Sequence, residues 1–189
     1  MEIIPLITAN GLQDKSKRTI GDFMAKHLVL GHKGNIGKRH YKLLQEIGEE
    51  VYGCDINNEP NWDVDMVWIC TPLKEHYRQI IETINKGIIK IFCEKPLETN
   101  LEAIRSLERF SNCKIFIACN YRFHPAVKIL KDNLNKVGKI LYCRIYHSHY
   151  LPYQKSNWQE LDNNIILESA THFVDLALWL FGKGYEYDN

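Results

Sequence analysis

The sequence predicts an α/β fold, a parallel sheet with helices on both faces followed by an incomplete α+β second domain. Three observations predict it. Short apolar runs recur at Leu28–Leu30, Val51–Cys54, Met66–Cys70, Ile88–Cys93 and Lys114–Cys119, each nearly unbroken, as strands buried on both faces require. Between the later runs the apolar residues shift to helical spacing, and strand alternating with helix brings successive strands parallel. With 189 residues, 45% of them apolar and 25% charged, the chain has an ordinary globular composition, enough for one domain plus part of another.

Taken in order, Leu28–Leu30 leads into a glycine cluster and then Ile36, His40, Leu43, Leu44 and Ile47, one face of a helix. Arg39 and His40 belong to that helix, with His40 on its packed side. Between Asp55 and Asp65 there is no room for a helix and an extra strand, so this half of the fold is expected to be trimmed. Leu73, Tyr77, Ile80, Ile81 and Ile84 form a second stripe. Leu101, Ile104 and Leu107 form a third, opened by Thr99 and Glu102 at capping-box spacing. Pro125 suits a first helical position before Val127, Leu130, Leu134 and Val137. Lys139–His149 alternates, with Leu141, Cys143 and Ile145 on one face and Tyr142, Arg144 and Tyr146 on the other, and is expected to open an antiparallel or mixed sheet as a long strand. An apolar helix over Ile166–Phe181 closes the pattern, stopped by Gly182. The expected divisions are an N-terminal extension over 1–27, a dinucleotide-binding domain over 28–123 and a partial substrate or oligomerisation domain over 124–189.

The charge balance, 24 basic against 23 acidic side chains, provides no field of one sign, so neither nucleic acid nor an anionic membrane is an expected partner. The six cysteines never form a CxxC pair and four end apolar runs, where a thiol behaves as a small buried hydrophobe; reduced thiols in an intracellular protein are expected. Residues 1–23 lack a basic leader followed by an apolar core, and Leu176–Phe181 is too short to span a bilayer, which points to a cytoplasmic location.

The candidate chemistry begins with Gly31, Gly34 and Gly37 between the first strand and its helix. There a dinucleotide pyrophosphate meets bare backbone N–H groups at a helix N-terminus. The form is GxxGxxG, with His32 where the commoner GxGxxG has its first glycine, and a tight strand-to-helix turn with no ligand also explains such glycines. Asp55 strengthens the case: it ends the next strand, 24 residues after Gly31, where a carboxylate accepts from both ribose hydroxyls. No arginine follows it to hold a 2′-phosphate, so NAD is favoured over NADP.

At this point the chain resembles the Gfo/Idh/MocA family of nicotinamide-dependent sugar and polyol dehydrogenases. The matching segments are GHKGNIGKRH at 31–40, CTPLKEH at 70–76, CEKPLETN at 93–100, NYRFHP at 120–125 and ESATHFVDLALWLFG at 168–182. The resemblance implies a Rossmann-like fold and hydride transfer between a secondary alcohol and NAD, on a small sugar or polyol that includes nucleotide-linked ones. It implies cofactor contacts from Gly31, His32, Gly34, Asn35, Ile36, Gly37, Asp55, Cys70, Thr71, Pro72, His76, Glu94, Lys95 and Asn120. Thr71, Pro72 and His76 match the turn beside the nicotinamide ribose, and Pro96 matches a proline often held in a cis bond. Lys95 and His172 match the residues credited with the substrate proton, Glu168 stands where aspartate is common, and Asp175 completes HxxD, binding substrate or orienting the imidazole.

Each of these residues has a plainer reading when taken alone: a lysine in a loop is usually solvated, and a histidine on an apolar helix is usually core. Their joint occurrence favours the catalytic reading. His147 and His149 share a strand face as zinc ligands do, but no third ligand has matching spacing, so no metal is expected. Tyr121, Arg122 and Phe123 are read as packing and domain-junction residues. The alternative function is a truncated or degenerate nucleotide-binding module without turnover, working with a partner chain or a second copy through the incomplete sheet.

Overall fold

The structure, a computed structural model, describes residues 24–146 and 165–182, with side chains from Ala170 onward in the second stretch. The described residues divide into two compact units between Ala118 and Cys119.

The first unit carries five strands, β1 (Lys26–Leu30), β2 (Glu50–Cys54), β3 (Met66–Ile69), β4 (Lys90–Cys93) and β5 (Lys114–Ile117). They form one wholly parallel sheet in the order β2-β1-β3-β4-β5. Helices α1 (Asn35–Glu46), α2 (Leu73–Asn85) and α3 (Leu101–Ser106) make the crossovers. Alternate strand residues feed two cores. Leu28, Leu30, Val67, Ile69, Ile91, Cys93 and Ile115 pack with Ile80 of α2 and with Leu107. Val29, Trp68, Phe92 and Phe116 pack with Leu44 of α1 on the other face. Residues on both sides of every strand are therefore withdrawn from water, which is why the strands read as apolar runs rather than as an alternation.

The trimmed connection is present: β2 passes to β3 without a helix, and Trp62 and Val64 of the connecting segment pack onto the core instead. Two local expectations are corrected. The cap of α3 is Asn100, whose side chain accepts from the amides of Glu102 and Ala103. Thr99 is not the cap, and its own amide donates to the Glu98 carboxylate. Asparagine's short arm reaches both first-turn donors from one position, so the box at Thr99 is displaced by one residue. The fourth strand also starts later than the apolar run, because the Ile88 amide closes the end of α2 onto Thr83 O at 3.3 Å.

The second unit contains a 3₁₀ turn over Asn120–Phe123, α4 (Pro125–Asn133), a second 3₁₀ turn over Leu134–Val137 and α5 (Ile165–Phe181). Pro125 opens α4 as expected, and Gly182 ends α5 with φ 85° and its amide on Leu178 O. The long strand expected over Lys139–His149 is not formed over 139–146, and 147–149 lie outside the described residues. Within this stretch, Arg144 Nε donates to Tyr142 Oη two residues away at 3.0 Å. No described element pairs with this backbone, and a strand is defined by its partner as much as by its own pattern.

Candidate functional site

In the 2-1-3-4-5 order the first strand separates the second from the third, and the carboxyl ends of neighbouring parallel strands at such a switch form the usual ligand crevice. The predicted cofactor residues of the first unit lie in the segments leaving those ends.

The glycine loop leaves β1. Gly31 has φ 76°, and a Cβ there would lie 2.8 Å from Cys70 O at the end of β3, so both conformation and contact exclude a side chain. A Cβ at Gly37 would lie 2.1 Å from Gly31 O, so the first turn of α1 rests directly on the loop. Gly34 occupies the N-cap of α1, with no side-chain cap and no acidic residue in the first turn. Asn35 and Ile36 thus present first-turn amides, with the positive end of the helix dipole, to the space beyond the loop. The bare backbone and uncapped helix end fit an anionic pyrophosphate.

Asp55 follows β2 directly. Its Oδ1 accepts from the Ile56 amide at 3.0 Å and its Oδ2 from the Lys33 amide of the glycine loop at 3.2 Å. The Ile56 amide, and after it that of Lys33, hold this carboxyl below the usual aspartate range. The carboxylate is therefore ionised at neutral pH and fixed beside the loop, where it can accept from ribose hydroxyls. The His32 ring lies over Gly53 of β2, where a Cβ would come within 2.6 Å of it, and tilts against Tyr41 at 5.6 Å. Gly53 was not singled out from the sequence; a glycine inside an apolar strand is the signal that marks such a close approach.

Past β3, Cys70 is partly buried with its thiol pushed up by desolvation, so it is no nucleophile at neutral pH. Thr71 Oγ1 donates to Gln79 Oε1 at 2.6 Å, and exposed Pro72 caps α2. His76 is 1% exposed. One ring nitrogen is 2.9 Å from Pro96 O and the other 2.8 Å from Thr71 O. Its side chain joins the loop after β3 to the loop after β4 and leaves ligand contact to the backbone it holds. The Lys95–Pro96 bond is cis. Glu94 Oε1 is 3.2 Å from His40 Nε2, and the His40 ring lies against Trp68 and Phe92. His40 therefore links α1 to the EKP segment, a partnership that its place on the packed helix face did not disclose.

The remaining candidates belong to the second unit. Asn120 is exposed at the start of the 3₁₀ turn. His172 stacks on Tyr121 with ring centroids 4.6 Å apart and planes within 10°. Asp175 accepts from Arg122 through both oxygens, from Nε at 2.7 Å and from Nη2 at shorter range. This pairing raises Arg122 above the ordinary guanidinium value. Glu168 lies on α5 one turn before His172, and its side chain is outside the described residues.

Residues 54–112 match the model of the Gfo/Idh/MocA oxidoreductase family, NAD-binding Rossmann fold, and over this segment the chain resembles that family. An inositol 2-dehydrogenase of Rhizobium meliloti (strain 1021) is 26% identical over 141 residues, 70% of this chain and 42% of that protein. A myo-inositol 2-dehydrogenase of Thermotoga maritima is 28% identical over 137 residues, 70% of this chain and 40% of that protein. The chain spans less than half the length of these curated relatives. Among solved structures, a myo-inositol 2-dehydrogenase from Lactobacillus plantarum aligns with a TM-score of 0.67 at 19% identity, covering 85% of this chain and 57% of that one. The WlbA (WbpB) dehydrogenase from Thermus thermophilus, in complex with NAD and UDP-GlcNAcA, aligns with a TM-score of 0.63 at 21% identity, covering 86% and 65%. These likenesses establish the Rossmann-like fold. Among the described residues no helix is long and apolar enough to cross a membrane.

Proposed function

We propose that this chain binds NAD at the carboxyl end of its parallel sheet and takes part in hydride transfer between that cofactor and a secondary alcohol of a sugar or polyol. The observation that carries the reading is the juxtaposition of an uncapped helix N-terminus on a side-chain-free loop with an ionised aspartate bonded to that same loop. The family match and the polyol and nucleotide-sugar dehydrogenases among its relatives support the substrate class. In this reading Gly31, Gly34, Asn35, Ile36 and Gly37 receive the pyrophosphate, and Asp55 receives the ribose. Thr71, Pro72, Glu94 and Asn120 flank the nicotinamide, with Cys70 and His76 holding backbone and His32 filling the space behind the loop. Bound nicotinamide supplies or accepts the hydride. Lys95 and His172 hold and move the substrate hydroxyl proton, a task suited to a lysine beside a cationic ring and to an imidazole. Glu168 orients His172.

Binding and turnover are tested separately. NADH should bind more tightly than NADPH, because a 2′-phosphate would meet the Asp55 carboxylate. Asp55→Ala should weaken NADH at least tenfold and narrow the preference. Equal affinity for both nucleotides, or an unchanged NADH affinity in the variant, overturns the assignment. With inositols and other polyols as substrates, Lys95→Met and His172→Ala should each lower kcat by roughly 10²-fold while NADH affinity holds. NADH binding without turnover on any polyol or nucleotide sugar would favour a cofactor-binding module.

A further inference from the structure

Two consecutive residues of the 3₁₀ turn after the sheet, Tyr121 and Arg122, meet two residues of α5 one turn apart, His172 and Asp175. Helical positions i and i+3 share a face, and consecutive side chains of one tight turn reach that face together. The two contacts differ in kind. Tyr121 lies parallel beneath the imidazole at stacking distance, 4.6 Å between centroids, within the 4.5–7 Å range of favourable ring pairs. Its neighbour, Phe173, meets the same tyrosine edge-on at 5.9 Å, so the tyrosine ring is gripped by two successive α5 side chains. The guanidinium engages both Asp175 oxygens, and the side chains are only 14% and 12% exposed. A bidentate, largely dehydrated pair of this kind fixes rotation as well as distance.

The Asp175 carboxylate is engaged by Arg122 through both oxygens, a partnership that the sequence alone did not give when it left Asp175 to bind substrate or to orient the imidazole. We propose that Tyr121 and Arg122 are positioning residues that hold His172 in one orientation, the tyrosine by supporting a face of the ring and the arginine by anchoring the same helix face through Asp175. Tyr121 acts through its ring and not its hydroxyl; Arg122 acts through its two-pronged geometry and not its charge alone.

The catalytic consequence rests on the assignment of His172 to proton transfer, but the orientation does not, and the test separates them. On the full chain without cofactor, NMR of the histidine ring protons should show His172 shifted upfield by the stacked tyrosine. The shift should be lost in Tyr121→Ala and kept in Tyr121→Phe. A His172 resonance that is identical in wild type and Tyr121→Ala overturns the proposal whatever the enzyme does. With polyol substrate, Tyr121→Ala should lower kcat by roughly 10- to 100-fold, as a misplaced catalytic group does, with NADH affinity unchanged and with activity restored in Tyr121→Phe. Arg122→Lys should retain little more activity than Arg122→Met, since lysine offers no fork. Equal loss in Tyr121→Phe and Tyr121→Ala, or full activity in Arg122→Lys, overturns it as well. If the wild-type chain turns over no polyol, the functional reading fails while the ring-shift result still decides this one.

Discussion

The two units spend the same kind of residues differently. In the first, the strand side chains Leu28, Val29, Val67, Ile69, Ile91 and Cys93 are wholly buried, and every strand has at least one hydrogen-bonded neighbour. Among the described residues of the second, Ile129 is 65%, Val137 69% and Leu141 84% exposed, while Leu180 is buried. The contacts that join its described segments are polar and aromatic: the Arg122–Asp175 pair, the Tyr121–His172 stack, and Lys131, whose Nζ donates to the Trp179 and Leu180 carbonyls near the end of α5. A parallel sheet completes its core from within one stretch of chain. The described segments of the second unit meet through specific pairs between residues about fifty positions apart.

The largest effect that sharpens this contrast is core truncation. Ile80→Ala removes a fully buried side chain of α2 and should cost about 2–5 kcal/mol. Leu141→Ala, at 84% exposure, should stay within about 0.5 kcal/mol. Urea unfolding of the two variants measures both. A Leu141 variant as costly as the Ile80 variant would mean that the second unit hides a core of its own, and the contrast would break. Gly37→Val should act with the core group, because its Cβ has to displace the Gly31 carbonyl. It should lose stability and NADH affinity together, where Asp55→Ala loses affinity alone.

Next in size is the ion pair. Arg122→Met leaves the Asp175 carboxylate largely buried with neither of its guanidinium bonds. Loss of charge-assisted bonds of this kind costs about 1.5–3 kcal/mol. If the second unit depends on such pairs, this loss should appear as an early circular-dichroism phase that precedes the main unfolding transition. A single transition at the wild-type midpoint would show the pair to be dispensable.

How far the fold could be read follows the same division. Runs such as Met66–Ile69 and Ile115–Ile117 declare themselves because burial on both faces leaves no polar positions, and Asp55 is legible because it ends such a run. Gly31 and Gly37 could be placed in a turn, but their reason, contact with Cys70 O and with each other, is visible only in three dimensions. Partnerships across the chain were not legible. His40 and Glu94 are 54 residues apart in sequence, and Arg122 and Asp175 are 53 apart. Nothing in the local pattern of one member names the other. The strand expected over Lys139–His149 is absent over 139–146 for the same reason: alternation carries no information about a pairing strand.

The smallest effect concerns pH and tests whether the first unit is as insulated as its apolar core implies. His27, on β1, is 8% exposed, and its Nδ1 accepts from Trp68 Nε1 at 3.0 Å while Nε2 faces Glu49 at 3.9 Å. Burial holds its pKa below the ordinary histidine value, outweighing the opposing pull of Glu49. The unfolded chain therefore takes up this proton at a higher pH than the folded one. The stabilising contribution of neutral His27 is complete above about pH 6.5 and declines as pH falls below that value, levelling off once the folded histidine also protonates. Protonation would place a hydrogen on Nδ1 and end its acceptance from the tryptophan. Since one proton is involved, the slope due to His27 stays below about 1.4 kcal/mol per pH unit. Unfolding free energies measured between pH 7.5 and 5 should show this loss in the wild type. In His27→Asn, which keeps an acceptor near Trp68 and cannot titrate, that component should vanish. An unchanged acid slope in His27→Asn would move the sensitivity to the exposed histidines and carboxylates and leave the sheet core without a titrating group.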